Sequence, residues 1–227
     1  MYFKRPKTAL AAALIAISGT AASAATLNFD DLSNGDFILN GAFNIDGITG
    51  TITTNNFRNN GPNIAQIYDT TQSGGSDPDL ESPTNVDDDS VYEGGNVIIV
   101  AENTDGLRPD LQGTDPDDEA RGGTITFLFD NYVVFKGITL LDAEENGNEI
   151  DVEVDGGVSV LADIVTGDHK WESFVFDGYK TKEIKVTLGG SGAFDALHLA
   201  PVPLPASALL LLAGLGGLFG LRRRKSV

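Results

Sequence analysis

The sequence predicts an all-β fold, an antiparallel β-sandwich of jelly-roll type, from two observations. Short apolar segments with period-two alternation recur along the middle of the chain, and turn signals such as Asn146-Gly147 separate them. In addition, no window of this middle part carries an apolar stripe at helical spacing. A parallel β-solenoid is the alternative, although the chain has no fixed repeat of roughly 20–25 residues.

The candidate strands follow one another without a long gap except at two loops. In TITFLF (124–129) the isoleucine and both phenylalanines face one side of the strand, and the other residues face the opposite side. EIDVEVD (149–155) and KEIKVTL (182–188) repeat this pattern. The remaining candidates are TLNF (26–29), GITGTIT (47–53), NIAQIY (63–68), NVIIVA (96–101), YVVFKGITLL (132–141), VSVLA (158–162), WESFVF (171–176) and FDALHL (194–199), with Asp177-Gly178 predicted as a turn before KEIKVTL.

The first 24 residues have the pattern of a secretory signal peptide. A basic head precedes an apolar run over 9–17, which is too short to cross the roughly 30 Å hydrocarbon core of a bilayer as an uncleaved helix. Ala22-Ser23-Ala24 fits the small-residue rule for signal peptidase. We therefore expect cleavage after Ala24, so that the mature chain begins at Ala25.

The charge of the chain is confined to its middle. The two ends hold seven of the 15 Lys and Arg and none of the 33 Asp and Glu, which leaves eight basic residues and a formal charge of −25 on residues 25–201. Such a charge repels nucleic acid and anionic lipid and favours cations or basic partners. The chain has no cysteine, which excludes disulfides, thiol catalysis and thiolate metal sites.

Two long loops interrupt the strands, over 69–95 and 102–123, and both are rich in Asp, Pro and Gly. Loops of this length are functional or disordered. Because Ca²⁺ takes about six to eight oxygen ligands, these loops are candidate calcium-binding segments, although their acids do not follow the order of an EF-hand. A solvated acidic loop is the alternative. The acids that supply such oxygens are Asp77, Asp79, Asp87, Asp88 and Asp89 in the first loop and Asp110, Asp115, Asp117, Asp118 and Glu119 in the second. The candidate ligands among them are Asp77, Asp79, Asp115 and Asp117.

A second candidate cation site joins the two ends of the domain. Asp30 and Asp31 follow the first strand, and Asp195 lies on the last strand. In a jelly roll the first and last strands lie together, so these three carboxylates are expected to share a cation. The alternative is that Asp195 caps a turn while the other two face water.

The sequence predicts no catalytic residue. His169 and His198 are the only histidines, they fall on separate segments, and no nucleophile-elbow motif is present. Two carboxyl groups across a cleft would suit a glycosidase, but 33 acidic residues offer such pairs by chance. Aromatic residues could instead form a sugar-stacking platform, although core packing is the alternative for Trp171. The candidates are Trp171, Tyr179, Tyr132, Tyr92 and Tyr68, and the platform requires Trp171, Tyr132 and Tyr179 to be exposed.

The chain ends in a strongly apolar segment that is followed by a short basic sequence. Residues 206–221 are almost wholly apolar and would form a helix about 24 Å long, which can cross a bilayer if its basic end snorkels. The positive-inside rule places this end in the cytoplasm and the acidic domain outside. The basic residues that stop the helix are Arg222, Arg223, Arg224 and Lys225.

The motif before this helix is Val202-Pro203-Leu204-Pro205-Ala206. Together with the helix and the basic cluster it resembles the VPLPA variant of the PEP-CTERM sorting signals of Gram-negative bacteria. The resemblance implies that the tail holds the exported protein in the inner membrane and that an exosortase-type transpeptidase processes it near the motif. A Gram-positive sortase signal is the weaker match, because 204–208 departs from LPxTG at its last two positions.

These observations divide the chain into a signal peptide (1–24), an acidic ectodomain (25–201) and a sorting signal (202–227). The ectodomain, with stretches such as NGPNIAQIYDT, is similar to β-rich secreted proteins that carry such tails. We expect a non-enzymatic protein that passes through the inner membrane to the cell surface or extracellular matrix and binds Ca²⁺ through its loops. The alternatives are a carbohydrate-binding module for anionic or neutral exopolysaccharide and a polysaccharide hydrolase.

Overall fold

Twelve β-strands and one turn of 3-10 helix (Pro78–Leu80) make up the computed structural model, which describes residues 25–45, 47–75, 77–104, 116–144 and 149–202. The strands are β1 (Ala25–Leu27), β2 (Phe37–Ile38), β3 (Gly41–Ile45), β4 (Ile48–Asn56), β5 (Ala65–Asp69), β6 (Thr84–Asn85), β7 (Asn96–Val100), β8 (Gly123–Leu141), β9 (Ile150–Val154), β10 (Val158–Ile164), β11 (Lys170–Leu188) and β12 (Ala193–Pro201).

The strands form one antiparallel sheet, which confirms the predicted all-β class. Its order is β10-β9-β11-β8-β12-β7-β5-β2, with β4 and then β3 attached to β8, and β1 attached to β12. The only parallel pair among the described residues is the two-residue contact between β6 and β11. The parallel β-solenoid is therefore wrong, because its strands would pair in parallel throughout.

The two longest strands, β8 and β11, pair with each other over most of their length, from Gly123 opposite Leu188 to Leu141 opposite Trp171. The first part of β8 also pairs with β4, and its last part pairs with β12. Each long strand was predicted as two separate strands. They are continuous because the register between β8 and β11 shifts at two irregular positions and the pairing resumes beyond each of them.

The predicted turn at Asp177-Gly178 is wrong, since both residues lie within β11. The register between β11 and β8 shifts between Val175 and Tyr179, and Gly178 has a φ of +123° there. A Cβ atom at Gly178 would lie 2.6 Å from Val134 Cγ1. The glycine therefore permits a bulge and a bend within a continuous strand.

One apolar core is shared by the two parts of the bent sheet. Phe127, on the part of β8 that pairs with β4, meets Phe194 of β12 edge to face at 6.2 Å. The predicted alternation is confirmed by the buried residues Ile125, Phe127, Phe129, Ile150, Val152, Val154, Ile184, Val186 and Leu188. A smaller apolar cluster under the first long loop contains Tyr68, Leu80, Tyr92 and Leu141, with Trp171 packed against it.

The first and last strands lie side by side, as the sequence predicts. Ala25 pairs with Leu199, and Val202 directly follows β12. Within the described residues, no helix has the length and apolarity that a membrane crossing requires. The predicted span 206–221 lies outside those residues, as do Ala22, Ala24, Pro203, Leu204, Pro205, Ala206, Arg222, Arg223, Arg224, Lys225 and Asp115.

Candidate cation site and neighbouring cleft

The first long loop is anchored by its own apolar residue. Leu80, in the 3-10 helix, is fully buried in the smaller apolar cluster. The hydroxyl group of Tyr68, on β5, donates a hydrogen bond to the backbone oxygen of Asp77 at 2.6 Å. Asp77 is therefore held at a fixed place although it lies in a segment that is predicted as a loop.

The second long loop returns beside the end of β7. Ala101 forms an isolated antiparallel bridge with Asp118. The backbone N–H of Glu102 donates to Asp117 O at 3.1 Å, and that of Glu119 donates to Val100 O at 2.9 Å. These bonds extend the strand pairing by a few residues and bring Asp117 and Asp118 next to the sheet.

Asp142 comes directly after β8 and is fully buried. Its Oδ1 accepts a hydrogen bond from His169 N at 2.8 Å. Ser191, in the turn between β11 and β12, lies with its Oγ 2.8 Å from Asp118 Oδ2 and 3.4 Å from Asp142 Oδ2. Asp118 Oδ2 also accepts the backbone N–H of Gly192. The turn therefore ties Asp118 to Asp142.

Four acids thus meet at one end of the sheet. One carboxylate oxygen each of Asp77, Asp117 and Asp118 lies within 4.8 Å of the others. Asp142 joins them through Ser191 and forms a second close group with Glu144 and Asp168. We call Asp77, Asp117, Asp118 and Asp142 the aspartate cluster.

Three members of the aspartate cluster, Asp77, Asp118 and Asp142, are buried. Asp77 is only 5% exposed, and its Oδ2 is buried with no hydrogen-bond partner. Asp118 is 7% exposed. In the part of the chain that the structure describes, no Lys or Arg forms an ion pair with Asp77, Asp118 or Asp142. These three buried carboxylates are therefore held close together without an ion pair of their own among the described residues.

The pKa values follow from this burial. Loss of water contact, and next the charge of Asp117, raises the pKa of Asp77 to about 7. Burial also raises the pKa of Asp142 to about 7. The pKa of Asp118 is raised well above its usual value, first by burial and then by the charge of Asp77. Each ionised carboxylate in the cluster makes ionisation of the others less favourable.

Glu119, the next residue along the chain, lies in a different environment. Its side chain is buried, but its Oε2 lies 3.4 Å from Arg58 Nε and 3.4 Å from Asn56 Nδ2. Arg58 also forms a 2.6 Å ion pair with Glu102. Glu119 therefore has protein donors of its own, whereas Asp77 Oδ2 has none within the residues that the structure describes.

Two of the four predicted loop ligands, Asp77 and Asp117, are brought together. Asp79 is near enough for its charge to raise the pKa values of Asp77 and Asp142. Asp118 was predicted only as one of the oxygen-bearing acids of the second loop, and Asp142 was not predicted as a ligand. The adjacency of Asp118 to Asp117 was a usable signal, whereas Asp142 follows an apolar run and joins the cluster only through tertiary contacts.

Of the three aspartates that were predicted to share a cation at the ends of the domain, two lie in one cleft and the third does not. Asp30 and Asp195 line one cleft of about 650 Å³, which has Thr26, Trp171 and His198 in its walls. Asp31 is exposed and is not among the lining residues. Among the described residues, Asp30 and Asp195 do not belong to a group of three close potential metal ligands.

Asp195 is the buried acid of this cleft, with an exposure of 3%. Its Oδ2 accepts a hydrogen bond from the hydroxyl group of Tyr92 at 2.6 Å, whereas its Oδ1 is buried without a partner. Burial, which dominates, and the charge of Asp30 raise the pKa of Asp195 to about 6, although the Tyr92 bond opposes the shift. Burial and then Asp195 raise the pKa of Tyr92.

The three aromatic residues that the platform requires do not share one surface. Trp171 lines the cleft and packs against Tyr92 with ring centres 5.5 Å apart. Tyr179 lies eight residues further along β11, roughly 25 Å away at the rise of a β-strand. Tyr132 is exposed beside Lys180, whose Nζ lies 4.6 Å from the ring centre.

Comparison with known proteins gives no relative: no protein-family model matches the chain, and no curated protein matches it.

Proposed function

We propose that the chain is an exported, non-enzymatic β-domain of the cell envelope or extracellular matrix that binds Ca²⁺ at the aspartate cluster. The observation that carries this proposal is that Asp77, one of a group of three close carboxylates, has a buried Oδ2 atom without a hydrogen-bond partner in the described part of the chain. A buried acceptor without a donor is costly, and a bound cation would remove that cost.

The chemistry of the cluster favours calcium over other common metals. Ca²⁺ accepts carboxylate, backbone and water oxygens in flexible geometry, whereas Mg²⁺ requires a nearly ideal octahedron. Zn²⁺ prefers thiolate and imidazole ligands, and the aspartate cluster consists of carboxylates alone. Four aspartates with one or two oxygens each, completed by water, supply enough ligands for one calcium ion.

Calcium binding is compatible with a place outside the cell. Extracellular calcium modules work with dissociation constants of about 10⁻⁴–10⁻³ M, a range that suits a site assembled from two loops. The charge of −25 on residues 25–201 also draws divalent cations from solution. Such ions could join the domain to anionic polysaccharide, while nucleic acid would be repelled.

We also propose how the protein reaches the outside of the cell. The signal peptide directs export, the helix over 206–221 crosses the inner membrane, and an exosortase-type enzyme processes the chain near 202–206. The pairing of Ala25 with Leu199 supports this plan, because both membrane-directed ends leave the domain from neighbouring strands. The protein then reaches the cell surface or the matrix.

We also infer that the bent sheet packs as a two-layer, jelly-roll-like sandwich. The contact between the rings of Phe127 and Phe194 supports this arrangement, because it joins two different parts of the sheet across the core. Strands β8 and β11 would then pass from one layer to the other at their bulges.

Calorimetric titration of the full chain with Ca²⁺ tests the binding proposal. The protein is purified in detergent and freed of metal with a chelator. We expect saturable heat and a rise in melting temperature, with a stabilisation of about 2.7 kcal/mol when free Ca²⁺ is 100 times the dissociation constant. Mg²⁺ serves as the control. Absence of both heat and stabilisation would contradict the proposal.

The export and sorting proposal is tested by intact-mass measurement of protein recovered from its native envelope. We expect a chain that begins at Ala25 and ends near 202–206, with any added anchor visible as extra mass. A full-length chain with both ends uncut would contradict this part and leave the calcium proposal untouched.

A further inference from the structure

The cleft around Asp195 is shaped by an irregularity in β12. Asp195 pairs with Thr139 of β8, but His198, three residues later, pairs with Gly137, so β12 contains one extra residue. Ala196, inside this bulge, has a φ of +52°. A non-glycine residue in the left-handed region is costly and tends to persist where the surroundings require it.

The bulge reverses the side-chain parity of β12. Phe194 faces the core before it, and Leu197 and Leu199 face the core after it. Asp195 and His198 therefore both line the cleft on the opposite side of the strand, although residues three apart on a regular strand face opposite sides. Bulges that redirect side chains in this way are frequent beside functional sites.

The walls of the cleft combine an apolar surface with hydroxyl groups. Trp171 forms the aromatic wall, and its indole N–H is already used in a 3.1 Å hydrogen bond to Ser90 O. Thr26 and Ser173 contribute hydroxyl groups. His198 shares a 3.1 Å contact between its Nδ1 and Thr26 Oγ1. The cleft is therefore open, partly aromatic and rich in groups that both donate and accept hydrogen bonds.

We propose that this cleft binds a ring of a neutral saccharide, with the apolar face of the sugar against Trp171 and a sugar hydroxyl group donating to Asp195 Oδ1. A volume of about 650 Å³ is within the usual range for small-molecule sites. Asp195 Oδ1 is buried and unpartnered, and a ligand hydroxyl would give it the missing donor. The proposal is independent of the aspartate cluster.

Charge and geometry argue against an anion or a metal ion in this place. Asp30, Glu93 and Asp195 all line the cleft and would repel a uronate or a phosphate. Asp195 Oδ2 already accepts a hydrogen bond from Tyr92, and among the described residues Asp30, Glu93 and Asp195 do not form a group of three carboxylate oxygens within 4.8 Å of one another. The raised pKa of Asp195, about 6, fits a hydroxyl ligand, because a hydroxyl can pair with either protonation state.

The only tryptophan of the chain allows a direct test, because Trp171 lies in the wall of the cleft and its fluorescence responds to a ligand bound there. The full chain, in a detergent without a sugar headgroup, is titrated with neutral hexasaccharides of β-1,4-glucose, β-1,3-glucose, β-1,4-mannose and N-acetylglucosamine. Hexagalacturonate is the anionic comparison. We expect a saturable change in emission with at least one neutral hexasaccharide and none with hexagalacturonate.

Two variants locate the binding. Asp195→Asn removes the acceptor charge. Ser173→Gln places bulk at an exposed cleft position and replaces a hydroxyl group that lies 2.7 Å from Thr139 Oγ1. We expect each to weaken binding at least tenfold, with melting temperatures used to verify folding. Tyr179→Phe, on an exposed aromatic residue outside the cleft, is the control and should leave the affinity unchanged.

Three outcomes would overturn the proposal. One is the absence of any response to all four neutral hexasaccharides. Another is unchanged affinity in both cleft variants, since binding would then occur elsewhere. The last is a fluorescence response to Ca²⁺ alone that Asp195→Asn abolishes, because the cleft would then be a cation site. None of these results bears on calcium binding at the aspartate cluster.

Discussion

The aspartate cluster and the Asp195 cleft each contain a buried aspartate with an incomplete set of hydrogen-bond partners, but the surroundings of the two aspartates differ. Each contains an aspartate that is at least 95% buried and has one oxygen without a partner, Asp77 in the first and Asp195 in the second. Around Asp77 the neighbouring side chains include the carboxylates of Asp117 and Asp118. Around Asp195 they include a tyrosine hydroxyl, a tryptophan and several small hydroxyl side chains.

This difference follows from where each region lies in the sheet. The aspartate cluster forms at strand ends, where two acidic loops and the β11–β12 turn converge and many carboxylates meet. The cleft forms on a strand face, where neighbouring strands present alternate side chains outward and aromatic and hydroxyl groups can line a wall. The same buried acid therefore suits a metal ion in one region and a polyol in the other.

The largest effect is expected from Asp77→Asn. This change removes one negative charge from the cluster, so we expect Ca²⁺ affinity to fall by about 100-fold or more. In the metal-free protein the same change should raise the melting temperature, because an amide can donate to the neighbouring carboxylates where the carboxylate repels them. Calorimetry and thermal melts with and without a chelator measure both effects.

Asp31→Asn is the matched control for Asp77→Asn, because Asp31 is an exposed aspartate outside the cluster. It should change neither the calcium affinity nor the metal-free melting temperature. If Asp77→Asn lowers stability in the absence of metal and leaves the affinity intact, Asp77 is a structural residue and the contrast with Asp195 disappears.

A pH effect of about 2 kcal/mol is expected from Asp195. Its folded pKa of about 6 lies above the unfolded value of 3.8, so the folded state holds the proton more tightly and stability falls as pH rises between these values. Between pH 4.5 and 7.5 the wild type should lose about 2 kcal/mol relative to Asp195→Asn. Other titrating groups in the cleft, Asp30, Glu93, Tyr92 and His198, are common to both proteins.

Denaturant unfolding of both proteins, in the presence of chelator and at a series of pH values, measures this difference. The difference in stability should become constant above about pH 7, because Asp195 is then ionised in both the folded and the unfolded protein. Parallel stability curves across the whole range would show that Asp195 titrates as it does in the unfolded chain. Its burial would then not distinguish the cleft from an ordinary surface.

The fold class could be predicted because alternation is a local property. Ile125, Phe127 and Phe129 are buried on one side of β8 as their spacing indicates. The continuity of β8 and β11 could not be predicted, because an Asp-Gly pair such as Asp177-Gly178 can occupy either a turn between two strands or a bulge within one strand. Only the partner strand decides between these two conformations.

The candidate sites could be predicted only in part for a related reason. Asp77 and Asp117 were selected from acidic loops, which composition identifies. Asp142 and Ser191 complete the aspartate cluster from a strand end and a turn that lie far away in sequence. Tyr92 and Asp195 are 103 residues apart, so no local sequence pattern could predict their hydrogen bond.

A tenfold effect is expected from Ser191→Ala. The Ser191 hydroxyl lies between Asp118 and Asp142 and orients both carboxylates without being a carboxylate ligand itself. Loss of such an orienting group usually weakens metal binding by about 10- to 100-fold, and we expect the lower figure because Gly192 N–H still holds Asp118. Calcium calorimetry measures the change, with Ser33→Ala, an exposed serine in another loop, as the control. Equal affinity in the two variants would mean that Asp118 and Asp142 do not act together.

The smallest expected effect is also the sharpest test of the comparison. Asp77→Asn should change the saccharide affinity of the cleft by less than about twofold, and Asp195→Asn should change the calcium affinity by a similarly small factor. Distant sites with no shared partner are normally independent, and none of the described hydrogen bonds or ion pairs joins Asp77 or Asp118 to Asp195. The affinities for Ca²⁺ and for the saccharide are measured on both Asp77→Asn and Asp195→Asn, which gives four values. A coupling above about tenfold would mean that loop 69–95, which supplies Asp77 to one region and Tyr92 to the other, transmits occupancy between them.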